Sequence, residues 1–326
     1  IDFGPTLLKL AGLEVPGQMD GKPFLGKGVS MDEVNARDTV FSHADRFDEK
    51  YDMVRALRIG KWKYIRNYQP FYPDGLQNNY RYKMLAYSEW RDLYKAKKLG
   101  LSQRLFFEPK QVEALYDLEA DPDEVNNLAG SGEHEAQLLS MRRSLQKTVL
   151  SLPDLGFFPE SVLYDEAMDA PVKYGLTHRA RIDQMVETAD LALRDFENAR
   201  TPLEESLESS DELIRYWAVN SCTSFGEAAS DIADKVRPLL QDENLLVRVK
   251  AAEFLAVVEQ EDPRTTLTEA LNTTTNSVEA LIILNTAVFL QDHNEISFPL
   301  DPKSLDMKVD DGEVYRRTAY LSGNPD

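Results

Sequence analysis

The sixteen residues LESSDELIRYWAVNSC, starting at Leu207, superpose on LQDENLLVRVKAAEFL, starting at Leu240, at an offset of 33 residues. Ile214-Arg215 falls on Val247-Arg248, Ala218 falls on Ala251, and a weaker third copy begins near Asn276. From Arg181 to about Asp292 the chain contains almost nothing but helical periods separated by short polar turns. A helical unit of this length cannot bury its apolar face alone, so copies must stack on one another. The offset therefore predicts antiparallel helix pairs in which Ile214, Ala218, Val247, Ala251 and Leu255 face a shared core.

This pattern resembles HEAT repeats. The chain before it reads differently. Pro5-Thr-Leu-Leu-Lys-Leu-Ala-Gly12 is a short helix with Pro near its start and Gly as its stop. Thr39 to His43 reads as a strand, and MVRALRI (53–59) and WKYIRN (62–67) flank Gly60-Lys61 as a hairpin with Trp62 and Tyr64 on one face. Leu115-Tyr-Asp-Leu118 adds a strand closed by the Asp121-Pro-Asp-Glu124 turn, and helices over about 84–98 and 133–150 cover the sheet. Residues 151–180 carry Pro153, Pro159 and Pro171 with little periodicity and read as a linker or docking strap. The expected organisation is thus 1–150, 151–180 and 181–326.

The length of 326 residues suits two or three cores rather than one. No apolar run nears the roughly 18 residues of a membrane span; Ala280-Leu-Ile-Ile-Leu284 stops at Asn285. The net charge of -19 opposes adsorption to nucleic acid or anionic membrane, so neither is an expected partner. Cys222 is the only cysteine, which excludes an internal disulfide or a multi-thiolate metal site; it reads as a buried helix residue beside Val219 and Phe225. The chain opens on Ile1 with no visible targeting signal, and a preceding piece is expected.

Groups able to act as nucleophiles are scarce. Ser151-Leu-Pro-Asp-Leu155 begins like a Ser-x-Pro-x-Arg element but ends in Leu, and Cys222 is followed by Thr-Ser-Phe. His43, His134, His178 and His293 are too scattered for a pair on one helix to bind metal, and Asp117 to Glu124 lacks the glycine and closing Glu of a calcium loop. No catalytic and no metal-ligating residue is therefore assigned. The one concentrated charge is basic: Arg55, Arg58, Lys61, Lys63 and Arg66 lie in a stretch with no acid. It admits two readings, an anion site built on guanidinium forks or a solvated hairpin whose cations guard a sheet edge. His43, Arg46 and Asp48 sit where a strand is expected to run out into a polar loop, a usual place for ligand contacts.

Three stretches taken in order, Asp2 to Leu13, Met53 to Asn67 and Leu115 to Leu128, resemble the C-terminal part of a formylglycine-dependent sulfatase of the alkaline-phosphatase-like superfamily. The run FSHADRFDEKYDMVRALRIGKWKYIRNYQP is similar to bacterial sulfatases grouped with heparan N-sulfatase. The resemblance covers residues 1 to about 165. It implies a fold class of α/β (alkaline-phosphatase-like) C-terminal portion with a small antiparallel sheet plus helices, followed by an all-α HEAT-like solenoid. It also implies hydrolysis of a sulfate ester or sulfamate on a sulfated carbohydrate, in a periplasmic or secreted enzyme. The family's formylglycine, calcium ligands and sulfate-orienting Lys and His all precede the segment matched by Asp2 to Leu13. They are expected in an N-terminal catalytic portion that acts as this chain's partner. What this chain adds by resemblance is the wall of the pocket beyond the sulfate, with His43, Arg46, Asp48 and Arg55 as substrate-binding residues. The competing expectation is a non-catalytic module that binds a protein partner through its repeats. With no residue able to become the nucleophile, the isolated chain incubated with calcium and an aryl sulfate or a sulfated glycan should release no sulfate. Turnover that survives rigorous purification would overturn this.

Overall fold

Four strands form one antiparallel sheet in chain order: β1 (Thr39–Phe47), β2 (Lys50–Ile59), β3 (Trp62–Asn67) and β4 (Glu113–Asp117). The structure, a computed structural model, describes residues 1–296, 298 and 305–323. The β2–β3 hairpin turns at Gly60-Lys61 as the sequence predicts, with Gly60 in the left-handed region at φ 56°. β1 is longer than expected. It continues through Phe47 and forms with β2 the first hairpin of the chain, which turns at Asp48-Glu49, where Asp48 takes φ 47°. The segment read as a polar loop is therefore strand up to Phe47. Opposite Asp45 the pairing is interrupted by a bulge in β2, since Ala44 pairs with Val54 but Arg46 pairs with Tyr51, which leaves two β2 residues facing one of β1.

Cross-strand partners place Phe41, Leu57, Tyr64 and Leu115 in one row across the sheet. Before the sheet comes α1 (Phe3–Leu10), between β3 and β4 lies α2 (Leu85–Lys95), and after β4 comes α3 (Glu135–Ser151). Leu138, Met141, Leu145 and Val149, spaced at three and four residues, form the buried stripe of α3, which packs against β2 and β3. In contrast, α1 leaves Phe3, Leu7 and Leu10 exposed.

The longer helices that follow are α4 (Arg179–Ala189), α5 (Phe196–Leu207), α6 (Glu212–Phe225), α7 (Leu245–Val257), α8 (Arg264–Thr273), α9 (Ser277–His293) and α10 (Gly312–Leu321). The repeat is visible in the caps. Asp211, Asn244 and Asn276 each precede a repeat helix and accept backbone N–H bonds from its first turn. The Ile-Arg of the first copy has a mechanical use, because Arg215 makes a bidentate pair with Asp242 (2.6 and 2.8 Å) just before α7. Arg181 does the same to Asp211 ahead of α6 (2.7 and 2.8 Å).

All five residues expected at the repeat core are buried, but they divide between two clusters. Ala218, Ala251 and Leu255 pack with Ala199, Leu203 and Cys222. Ile214 and Val247 belong to a larger core that also contains Met53 and Tyr64 of the sheet, Phe157, Ile283 and Leu321. Sheet and repeats thus share one core. Residues 151–180 are docked into it as a strap of short helical turns, with Phe157 and Phe158 buried and the Trp217 indole donating to the Phe157 carbonyl at 2.8 Å. No helix among the described residues is long and apolar enough to cross a membrane. Leu255→Ala should lower stability by about 2–5 kcal/mol, because the site is fully buried between α6 and α7 neighbours; chemical denaturation measures it, and a loss below about 0.5 kcal/mol would contradict this packing.

Candidate functional site

The expected basic hairpin turns out to be neutralised from within the chain. Lys61 binds Asp117 (2.6 Å), Lys63 binds Glu124 (2.6 Å), and Arg66 reaches Asp190 (3.2 Å). Arg58 donates to the Gly60 carbonyl at 2.9 Å. The acidic turn after β4 is accordingly the electrostatic partner of β3. Separation along the sequence hid these pairs, which join residues 56, 61 and 124 positions apart.

Arg55 is the most completely engaged of the basic residues. Its Nε and Nη2 donate to the two carboxylate oxygens of Asp154 (2.7 and 2.8 Å), and Nη1 donates to Asp45 (2.7 Å) and the Val54 carbonyl (2.9 Å). The side chain is 2% exposed. Burial alone would lower its pKa, but the two carboxylates hold it above the ordinary arginine value. Arg55, expected among the substrate-binding residues, clamps the strap to the sheet in this geometry and is buried. Asp154 comes from the Ser151-Leu-Pro-Asp-Leu155 stretch, whose Ser151 hydroxyl merely donates to Thr148 at the end of α3 (2.7 Å).

The other three expected residues line the first hairpin. His43 is largely exposed, 3.7 Å from Asp45. Asp48 is exposed in the turn. Arg46 stands opposite Tyr51 in the register and ties together three parts of the chain. Its Nη1 donates to the Tyr51 hydroxyl (3.2 Å) and to both Glu160 oxygens (2.9 Å each), while Nη2 lies 3.8 Å from Glu313 of α10.

Arg46, Asp45 and Glu160 border a cavity of about 320 Å³ between the hairpin, the strap and the repeat helices. Its lining includes the aromatic rings of Tyr51, Phe158, Tyr216 and Trp217. Lys250 of α7 lines it too. The Lys250 ammonium donates to the Tyr72 hydroxyl (2.6 Å) and to Glu253 (2.9 Å); Tyr72 in turn donates to Glu253, which also accepts from Thr286 (2.6 Å). Burial pushes Lys250 below and Tyr72 well above their ordinary values. Asn285 of α9 holds the hairpin in place, accepting from the Tyr51 N–H (3.1 Å) and donating to the Tyr51 carbonyl (3.2 Å). Sequence reasoning missed Tyr72, Lys250, Glu253 and Asn285, since each is polar on an otherwise apolar face and carries no motif. The Cys222 thiol is buried and pushed up by that burial, which leaves it unsuited to attack. Among the described residues no group of His, Cys, Asp and Glu is placed to hold a metal ion.

Comparison with known proteins adds two findings. Residues 200–285 match the HEAT repeats family, spanning α5 to α9. The chain is also similar to an ulvan-active sulfatase of Formosa agariphila, with 34% identity over 167 residues, which is 51% of this chain and 27% of that protein. The chain therefore spans about a quarter of that relative's length.

Gly156 sits where a Cβ would approach Arg55 Nη2 at 2.1 Å and Asp45 Oδ1 at 2.6 Å. Gly156→Ala should therefore break the Arg55 clamp, destabilising the protein by about 3–5 kcal/mol as for a severed buried pair, and new cleavage sites should open in 151–178 under limited proteolysis. An unchanged digest would show that the strap is held by its aromatic residues alone.

Proposed function

We propose that this chain is the C-terminal part of a sulfatase that hydrolyses sulfate esters or sulfamates of a sulfated glycan, and that its first hairpin forms part of the substrate pocket. The observation that carries the reading is the similarity to a sulfatase over half the chain, joined to an arginine at the mouth of an aromatic-lined cavity. In this reading the sheet and helices belong to the C-terminal portion of an alkaline-phosphatase-like fold. Formylglycine and calcium, with the chemistry they supply, would be carried by a catalytic portion outside these residues. A periplasmic or secreted location belongs to the same proposal.

The chain's own contribution is recognition. Arg46 Nη1 is occupied, but Nη2 makes no hydrogen bond among the described residues, so the fork keeps donors for a sulfate or hydroxyl oxygen. Asp48 and His43 flank it on the same hairpin and would accept from or donate to sugar hydroxyls. The aromatic walls offer faces against which a pyranose can stack. The exposed apolar side of α1, with Phe3, Leu7 and Leu10, is a surface that an adjoining catalytic portion would cover. In the complete enzyme, Arg46→Ala should lower kcat/KM for a sulfated oligosaccharide about 10-fold, the size expected for one hydrogen bond to a charged group. A small aryl sulfate, too short to reach the hairpin, should be affected far less. Equal loss on both substrates, or no loss with the fold intact, would assign Arg46 to stability alone.

A further inference from the structure

Arg317 on α10 is 1% exposed, yet its hydrogen-bond partners carry no charge. Its Nη2 donates to the Glu49 carbonyl (2.8 Å) and to Asn285 Oδ1 (3.2 Å), while Nε and Nη1 have no partner among the described residues. The nearest acids are otherwise committed. The Glu49 carboxylate accepts from the Asn79 N–H (2.6 Å) and Asn78 Nδ2 (3.2 Å), and Asp292 accepts from the Tyr320 hydroxyl (2.9 and 3.0 Å). A buried guanidinium without a paired anion is strongly disfavoured, and burial does hold this one below the ordinary arginine value.

Arg317 borders a cavity of about 120 Å³ that Lys83, Arg316, Glu49 and Asn79 also line. Among the residues that line it, three are cationic and one is a carboxylate, in a chain whose net charge is -19. Lys83 and Arg316 are exposed at the rim, and the nearest carboxylate to Arg316 is Glu313 at 3.7 Å. The volume is several times the roughly 30 Å³ share of one water. It is well below the ~300 Å³ at which drug-sized ligand sites begin. A single tetrahedral ion fits these limits, whereas a substituted sugar ring does not.

We propose that this cavity is a binding site for a free inorganic oxyanion, sulfate or phosphate, held jointly by Arg317, Arg316 and Lys83. Four oxygens around one centre can serve three cations at once, and Arg317 brings to the cavity wall a charge that no carboxylate hydrogen-bonds. The site is separate from the Arg46 cavity and stands whether or not the chain serves a sulfatase. Because Arg317 also holds the Glu49 carbonyl, an ion here would stiffen the hairpin turn next to Asp48.

Thermal unfolding of the natural protein in sodium sulfate or phosphate, against sodium chloride at equal ionic strength, tests the proposal. Bound ion should raise Tm with a saturating dependence on concentration. The surface double variant K83A/R316A should match the wild type in chloride and bind sulfate at least 10-fold more weakly. An anion bound at any catalytic centre would be indifferent to those changes. Arg317→Met should remove the response while remaining folded in chloride; if it does not fold, the double variant still decides. An equal sulfate response in wild type and double variant, or none in either, overturns the proposal. A monosaccharide sulfate should give no gain through this cavity. A response to it that depends on Lys83 and Arg316, with none to the inorganic ion, would overturn the free-ion assignment.

Discussion

Arg55 and Arg66 are register partners on β2 and β3, so two guanidinium groups lie side by side on the covered face of the sheet. Like charges directly opposite one another destabilise a sheet, and both side chains are almost fully buried. The arrangement persists because each arginine receives its own carboxylate from outside the sheet: Asp154 from the strap and Asp190 from the end of α4. The next position in the row, Glu113 on β4, is taken by Arg142 of α3 at 2.9 Å. Asp45 of β1 also meets Arg55 Nη1 (2.7 Å), but the Arg55 Nε and Nη2 and the Arg66 Nε find their carboxylates on elements that lie 99 and 124 residues further along the chain. This requirement joins the strand-rich and helix-rich parts into one core more firmly than their shared apolar contacts alone.

The same pairing governs how the candidate site is built. A basic stretch in an acidic chain suggests an anion site, but the geometry turns most of that charge inward or onto the acidic turn after β4. Two arginines stand apart from this pattern: Arg46, which is partly neutralised by Glu160 and borders the larger cavity, and Arg317, which no carboxylate hydrogen-bonds. Specific recognition in such a protein depends on which arginine keeps an unpaired N–H rather than on how many cations a segment carries. The similarity to a sulfatase gives the first hairpin its context, and Arg46 is the residue whose geometry fits that context best.

Local patterns made much of the fold legible. The Gly60-Lys61 hairpin, the strand around Leu115, the helices near 85–95 and 135–151 and the repeat helices all follow from alternation, helical spacing or turn chemistry. The second half of β1 was concealed because Ala-Asp-Arg lacks the β-branched and aromatic residues by which a strand is read, and its pairing with β2 is irregular there. The division of the repeat residues between two clusters was equally hidden: each helix presents one face to its neighbours in the array and another to the sheet, and periodicity alone cannot say what lies across from either face. Within the site, Arg46 could be singled out by type and place. Asp154, Lys250 and Asn285 could not, since their significance arises only when distant segments meet.

The bond from Arg317 to the Glu49 carbonyl spans 268 residues. At a synthesis rate of roughly 5–20 residues per second, the hairpin leaves the ribosome roughly 13–54 s before the residue that completes it. During that interval the turn at Asp48, the cavity mouth at Arg46 and the docking of Asn285 against Tyr51 all lack their final constraint. The nascent sheet can settle its central strands early, but the edge formed by β1 and its turn is finished last, when α10 arrives. A chain arrested shortly before α10 would thus have most of its core and an unfinished sheet edge.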